Sequence, residues 1–162
     1  MSGFLLKLIR ESTGLTQVRL AERLGVDVAS VQGWESGRRP LAALRVADLV
    51  RLRSRLLRCG AHATTLALLE DAIEADLVIG ESVHAGAALI EVDEHPLGVA
   101  LHQSKLTNLI TWPFTGILPT ELRDLPERVR VRRGPVPDRP MITEEERTRF
   151  FDHFLVTAEA YS

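Results

Sequence analysis

The stretch LTQVRLAERLGVDVASVQGWESGRRP, Leu15 to Pro40, decides the fold of this 162-residue chain. Thr16 stands where its hydroxyl can cap a helix, and Leu15 and Leu20 flank it at the positions of a hydrophobic staple. Leu20, Ala21 and Leu24 share one face of that helix. Gly25 follows where a left-handed residue releases the chain into a sharp turn. Val26 packs into the turn, Asp27 is the next N-cap, and Val31 with Trp34 supplies the buried stripe of a second helix, which Gly37 ends. The spacing predicts helices over 16–24 and 27–35, with a further helix over 4–12 whose inward residues are Phe4, Leu5, Leu8 and Ile9.

Leu15-Thr16-Gln17, Leu20-Ala21, Gly25-Val26 and Trp34-Glu35-Ser36-Gly37, followed by Arg38-Arg39-Pro40, resemble the Cro/C1-type (XRE) helix-turn-helix family of bacterial and phage repressors, over roughly residues 3 to 58. Such a motif presents its second helix to the major groove of double-stranded DNA. The resemblance implies that side chains at the start and outer face of that helix reach base edges. Those positions hold Val28, Ala29, Gln32 and Gly33. Gln32 can contact adenine through two hydrogen bonds, whereas Val28 and Ala29 can touch only thymine methyls. Gly33 costs about 1 kcal/mol relative to alanine inside a helix, so a close approach to DNA is its expected reason.

The resemblance also implies a phosphate or base contact for Gln17, beside a helix N-terminus that itself favours phosphate. Arg38 and Arg39, just past the recognition helix, are expected phosphate clamps. Arg10 and Glu35 match positions that form a structural ion pair between the first and third helices. Trp34 is core by its spacing. Arg10, Trp34 and Glu35 are therefore expected to support the DNA-reading helix without reading DNA.

The net charge of −2 conceals a division. Residues 1–60 carry a balance of +6, residues 61–127 one of −9, and residues 128–162 one of +1. An electropositive head attracts phosphates, and an acidic middle either orients it or is simply a solvated face. The single Cys59 excludes an intramolecular disulfide and fits a reducing cytoplasm, with nucleoid association when DNA is bound. No signal peptide or stretch of about 20 uninterrupted apolar residues is found, so no membrane contact is expected. With 18 arginines against two lysines, the composition fits GC-rich bacterial codons.

An all-α chain is expected, with a helix-turn-helix domain at 1–60 and an α-helical dimerisation or effector region at 61–162. A long helix over 41–58 has Leu41, Leu44, Leu49, Leu52 and Leu56 as its stripe and Gly60 just past its end. A helix over 62–79 pairs an apolar face of Leu66, Leu69, Ile73 and Leu77 with solvated Glu70, Asp71, Glu74 and Asp76. Another spans 97–111 and stops before Trp112-Pro113, since the residue preceding proline avoids helical angles. A short helical turn begins at Thr120, and residues 128–140 form a basic, Pro-rich loop. Thr143 and Glu146 open a final helix through Tyr161, with Phe150, Phe151, Phe154 and Leu155 as its apolar face.

Arg51, Arg55 and Arg58 recur on one helical face, where they extend a DNA footprint, meet a partner, or dock on an acidic surface of the same chain such as that at 70–76. His95 and His102, near Glu91, Asp93 and Glu94, lack the convergence of a metal site, and no nucleophile or phosphate-loop motif points to an enzyme. No cofactor is expected. Two classes of function fit: a dimeric transcriptional regulator on a palindromic operator, or a protein-interaction module, antitoxin-like or a signalling partner, that keeps the helix-turn-helix as a scaffold. A protein or small-molecule effector at the C-terminal region, the latter near Trp112 and Phe114, fits either.

Overall fold

The computed structural model describes residues 1–85, 104–122 and 142–160. Among them are α1 (Ser2–Ser12), α2 (Gln17–Leu24), α3 (Val28–Glu35), a 3₁₀ turn at Leu41–Ala43, α4 (Val46–Arg58), α5 (Ala63–Ala85), α6 (Ser104–Thr115), a 3₁₀ turn at Thr120–Leu122 and α7 (Glu144–Ala160). No strand occurs among the described residues, which are all-α as expected. The Pro-rich stretch 128–140 and the histidines at 95 and 102 lie outside the described residues.

Local chemistry sets the first three helices as their sequence predicts. The Thr16 hydroxyl accepts from the Arg19 backbone N–H at 3.2 Å, and Gly25 ends α2 at φ +64°. Asp27 Oδ1 accepts from the Ser30 N–H at 2.6 Å and starts α3. Leu20, Ala21, Leu24, Val31 and Trp34 are all buried. So are Leu5, Leu8 and Ile9 of α1, while Phe4 is half-buried with its ring edge-to-face on Trp112 at 5.5 Å.

The expected helix over 41–58 is broken in two. Leu41, fully buried, is carried into the core by the 3₁₀ turn, and Leu44 and Arg45 are extended at ψ 147° before α4 begins. Burying Leu41 from a chain that has just left Pro40 redirects the backbone, and a continuous helix cannot follow that path. Leu52 and Leu56 face inward as expected, whereas Leu44 and Leu49 are half-buried.

Helix α5 is the spine of the molecule. It packs against α1, the first 3₁₀ turn, α6 and α7, so the hydrophobic core runs unbroken across the turn at Gly60. Its buried face is rotated from the expected stripe: Leu66 and Leu69 are inside, but Ala72, Ala75, Val78 and Ser82 complete the face, and Leu77 is exposed. Asp76 does not face water as expected. It accepts from the Ser2 backbone N–H at 2.8 Å and the Ser2 hydroxyl at 2.6 Å, and the Met1 amino group lies 2.7 Å away, so a carboxylate 74 residues on closes the N-terminus of α1. Gly80 does not end α5, because Val78 and Ser82 anchor the turns on either side and the Ser82 hydroxyl donates to the Val78 carbonyl at 2.8 Å.

In α6 the chain stays helical through Trp112-Pro113 to Thr115, past the expected stop. Trp112 is fully buried and holds that last turn in place, and Gly116 at φ +70° then ends it. In α7 the capping box forms: the Thr143 hydroxyl accepts from the Glu146 N–H at 3.2 Å while the Glu146 carboxylate accepts from the Thr143 N–H at 2.9 Å. Phe150 is buried and stacks on Phe114 at 4.6 Å, but Phe151 is 40% exposed.

Two glycines give opposite expectations. A Cβ on Gly3 would lie 2.1 Å from the Trp34 carbonyl oxygen, so α1 can approach the end of α3 only because residue 3 has no side chain. Gly3→Ala is expected to destabilise the protein by about 1–3 kcal/mol. Gly80→Ala, whose Cβ meets nothing within 4 Å, is expected to stabilise α5 by about 0.5–1 kcal/mol. Urea unfolding of the two variants checks both signs.

Candidate nucleic-acid interface

The third helix is held from behind by one carboxylate. Glu35, at the last turn of α3, has a side chain only 3% exposed, and Arg10 of α1 meets it through Nε at 2.6 Å and Nη2 at 3.1 Å. The expected Arg10–Glu35 ion pair is thus present and two-pronged. Arg10 also donates from Nη1 to the Leu15 carbonyl at 2.9 Å, which fixes the chain entering α2. Gln17, the first residue of α2, donates from Nε2 to Glu35 Oε2 at 2.7 Å. One side chain therefore joins three helices and sets the angle of α3 against α2. Trp34 packs in the core beside it.

The outer side of α3 presents Ala29 and Gln32, both exposed, with Val28 half-buried against the core. Gly33 is buried, which corrects its expected place on the open outer face. A Cβ there would meet the Arg39 stem at 3.0–3.4 Å, so the close approach that glycine permits is made by Arg39. Arg39 donates its backbone N–H to the Gly33 carbonyl at 3.0 Å and its Nη1 to the Ser30 hydroxyl at 3.1 Å. The Ser30 hydroxyl donates in turn to Asp27 Oδ2 at 2.8 Å. Arg39 is laid along α3 by these contacts yet stays exposed, and Arg38 is exposed beside it with Nε on the Ser36 hydroxyl at 3.1 Å.

Asp27 is held below the ordinary aspartate range, first by the Ser30 hydroxyl and then by the Ser30 backbone N–H, with Arg39 adding a smaller contribution. A folded-state value below the unfolded one means that this cap stabilises α3 above the ordinary carboxylate range. That contribution is lost as pH falls through the lowered value. The start of α3 is therefore firm at neutral pH.

Among the arginines of α4, Arg51 pairs with Asp48 at 3.2 Å within its own helix. The Arg55 guanidinium lies over Gly25, 3.1 Å from where a Cβ would stand, against the turn between α2 and α3. Of the alternatives for the 51/55/58 face, docking on the acidic side of α5 is made instead by Arg53, at Glu70 and 2.9 Å. Sequence reasoning missed Ser30, Gly3 and Asp76. Ser30 carried a signal, since a serine three residues after an Asp N-cap can return a hydrogen bond. Among the described residues, no group of three or more His, Cys, Asp or Glu side chains is placed to hold a metal ion. No described helix is long and apolar enough to cross a membrane.

Two short helices, a left-handed glycine turn and an exposed second helix with arginines just beyond it define a DNA-binding helix-turn-helix. Residues 6–52 match the model of the helix-turn-helix family, and this N-terminal third is a helix-turn-helix of the Cro/C1 (XRE) type. That family binds DNA and is not a family of enzymes. Comparison with curated proteins and with solved structures gave no match.

Loss of the Glu35 carboxylate takes two charge-assisted hydrogen bonds from a buried guanidinium and leaves it only the longer contact to Glu11 at 3.3 Å and the Leu15 carbonyl, which sets the cost toward the lower end of the about 3–5 kcal/mol that breaking a buried pair takes. Glu35→Ala is expected to fall in that range. The double variant Arg10→Met/Glu35→Leu, which removes both charges, is expected to recover most of the loss. Denaturant midpoints of the single and double variants test this coupling.

Proposed function

We propose that this chain is a sequence-specific transcriptional regulator that binds double-stranded DNA as a homodimer on a palindromic operator. The observation that carries the reading is the Glu35 junction, which commits three part-buried hydrogen bonds to the orientation of a helix whose opposite side is exposed. In this reading residues 1–60 hold the DNA and residues 61–162 supply dimerisation or effector response, in the cytoplasm on the nucleoid. Gln32 reads a base edge, while Ala29 and Val28 meet thymine methyls. Gln17 contacts a phosphate or base, with its Nε2 held by Glu35. Arg38 and Arg39 clamp phosphates, and Gly33 acts by letting Arg39 lie across α3. Two-fold pairing raises specificity, because one recognition surface with so few hydrogen-bonding groups buries too little to select a site alone.

A second reading, a protein-interaction module that keeps the motif as a scaffold, is favoured by one observation. Of the four positions expected to reach bases, only Gln32 is both exposed and able to hydrogen-bond. The two readings part on DNA affinity. The first expects Arg38→Ala and Arg39→Ala each to weaken binding to all sequences and to lower the salt slope by about 1. It expects Gln32→Ala to cost about 1–3 kcal/mol at one base pair only. Fluorescence anisotropy on a selected operator and on a scrambled duplex, at several salt concentrations, measures all three. Affinity that is absent at low salt and indifferent to these variants supports the scaffold instead.

A further inference from the structure

Helices α4 and α5 diverge from the turn at 59–62 and leave an open apolar groove of about 540 Å³ between them. Leu52, Leu66 and Leu69 form its floor and are buried. Its walls are not: Val46 is 77% exposed, Val50 58%, Leu57 43%, and Leu77 of α5 50%. Val46, Val50 and Leu57 stand at i, i+4 and i+11, so they form one straight ridge along α4 with Arg53 between them. This concentrates four of the large exposed aliphatic side chains of the described residues in one patch, which marks an interaction surface.

Charge says what covers it. Between residues 46 and 58, α4 carries four arginines against one aspartate, while α5 carries five carboxylates between residues 63 and 85 and no Lys or Arg. Arg53 reaches across the groove to Glu70, but Glu74, further along the same wall, has no ion pair among the described residues. The best occupant is therefore an amphipathic helix with an aliphatic ridge and basic side chains. The same molecule carries that helix as α4. We propose that a second copy of this chain seats its α4 ridge in the groove while the first seats its own in return, with Arg53 of each copy facing Glu74 of the other. Both halves of the contact lie on one face of one chain, as a closed two-fold interface requires. Each ridge leaves water, and each uncovered carboxylate gains a guanidinium. This names the surface of the dimer proposed above and rests on that reading.

Sedimentation equilibrium on the full chain tests it. Val50→Asp and Leu57→Asp are each expected to weaken the dimer by about 100-fold, because each buries an unpaired carboxylate, and Glu74→Arg by about 10-fold. Thermal midpoints taken at a concentration low enough to dissociate the wild type should be unaltered, since all three positions lie at the groove's open side, whereas at higher concentration only the wild type gains from pairing. Ile117→Asp, 73% exposed and away from the groove, should change nothing. A wild-type dimer that all three groove variants leave intact overturns this surface but not dimerisation. A wild-type monomer at roughly 100 µM overturns both, given the micromolar or tighter affinity expected of a stable pair. A monomer that the groove variants also destabilise means that the chain's own remainder fills the groove, and overturns the proposal as well.

Discussion

The buried carboxylate of Glu35 is the constraint on which the rest of the DNA-facing surface depends. A charge with a 3%-exposed side chain is costly to desolvate and is tolerated only when its partners are in place. Arg10 supplies two hydrogen bonds and Gln17 a third, from two different helices. If either helix shifts, a charge-assisted bond is lost in a place that water reaches poorly. The angle between α2 and α3 is therefore specified by a few directional bonds as well as by the Leu20, Leu24, Val31 core, which many packings could satisfy. The same logic gives Gln17 a structural duty that its place at the start of α2 does not by itself announce.

Behind this layer, α5 binds the amino-terminal motif to the remainder. Asp76 closes the first turn of α1 while the alanines at 72 and 75, both fully buried, let neighbouring helices come close. α1 then transmits that position to α3 through the contact at Gly3, where a methyl group would collide with the Trp34 carbonyl. α5 and α3 are thus linked through α1 by these two contacts. The acidic middle of the sequence has a part in this: Asp76 supports α1, and Glu70 meets Arg53.

Short-range signals were legible in the sequence because they are local. Thr16, Gly25, Asp27 and the Thr143–Glu146 pair each act within four residues, and their caps form as their spacing predicts. The Arg10–Glu35 pair was legible only through resemblance to a family, since a separation of 25 positions carries no periodic trace of it. What could not be seen was set by distant partners. The break at Leu44–Arg45 follows from burying Leu41, the survival of α6 through Pro113 from burying Trp112, and the rotated face of α5 from helices that pack on it much later in the chain. At the interface the missing information was of the same kind, because the reason for Gly33 is Arg39 lying over it and the partner of Asp76 is Ser2.

The central claim is that the clamped third helix is the surface that meets DNA. Amide chemical-shift mapping of the full chain, titrated with a duplex at low salt, tests it most directly. The account predicts shifts concentrated at Gln17, along the first two turns of α3 and at Arg38–Arg39, with the Arg10 and Glu35 amides little changed because the clamp is already formed. Shifts confined to α4 and α5, or none under conditions where a basic helix-turn-helix should hold phosphate, would contradict it.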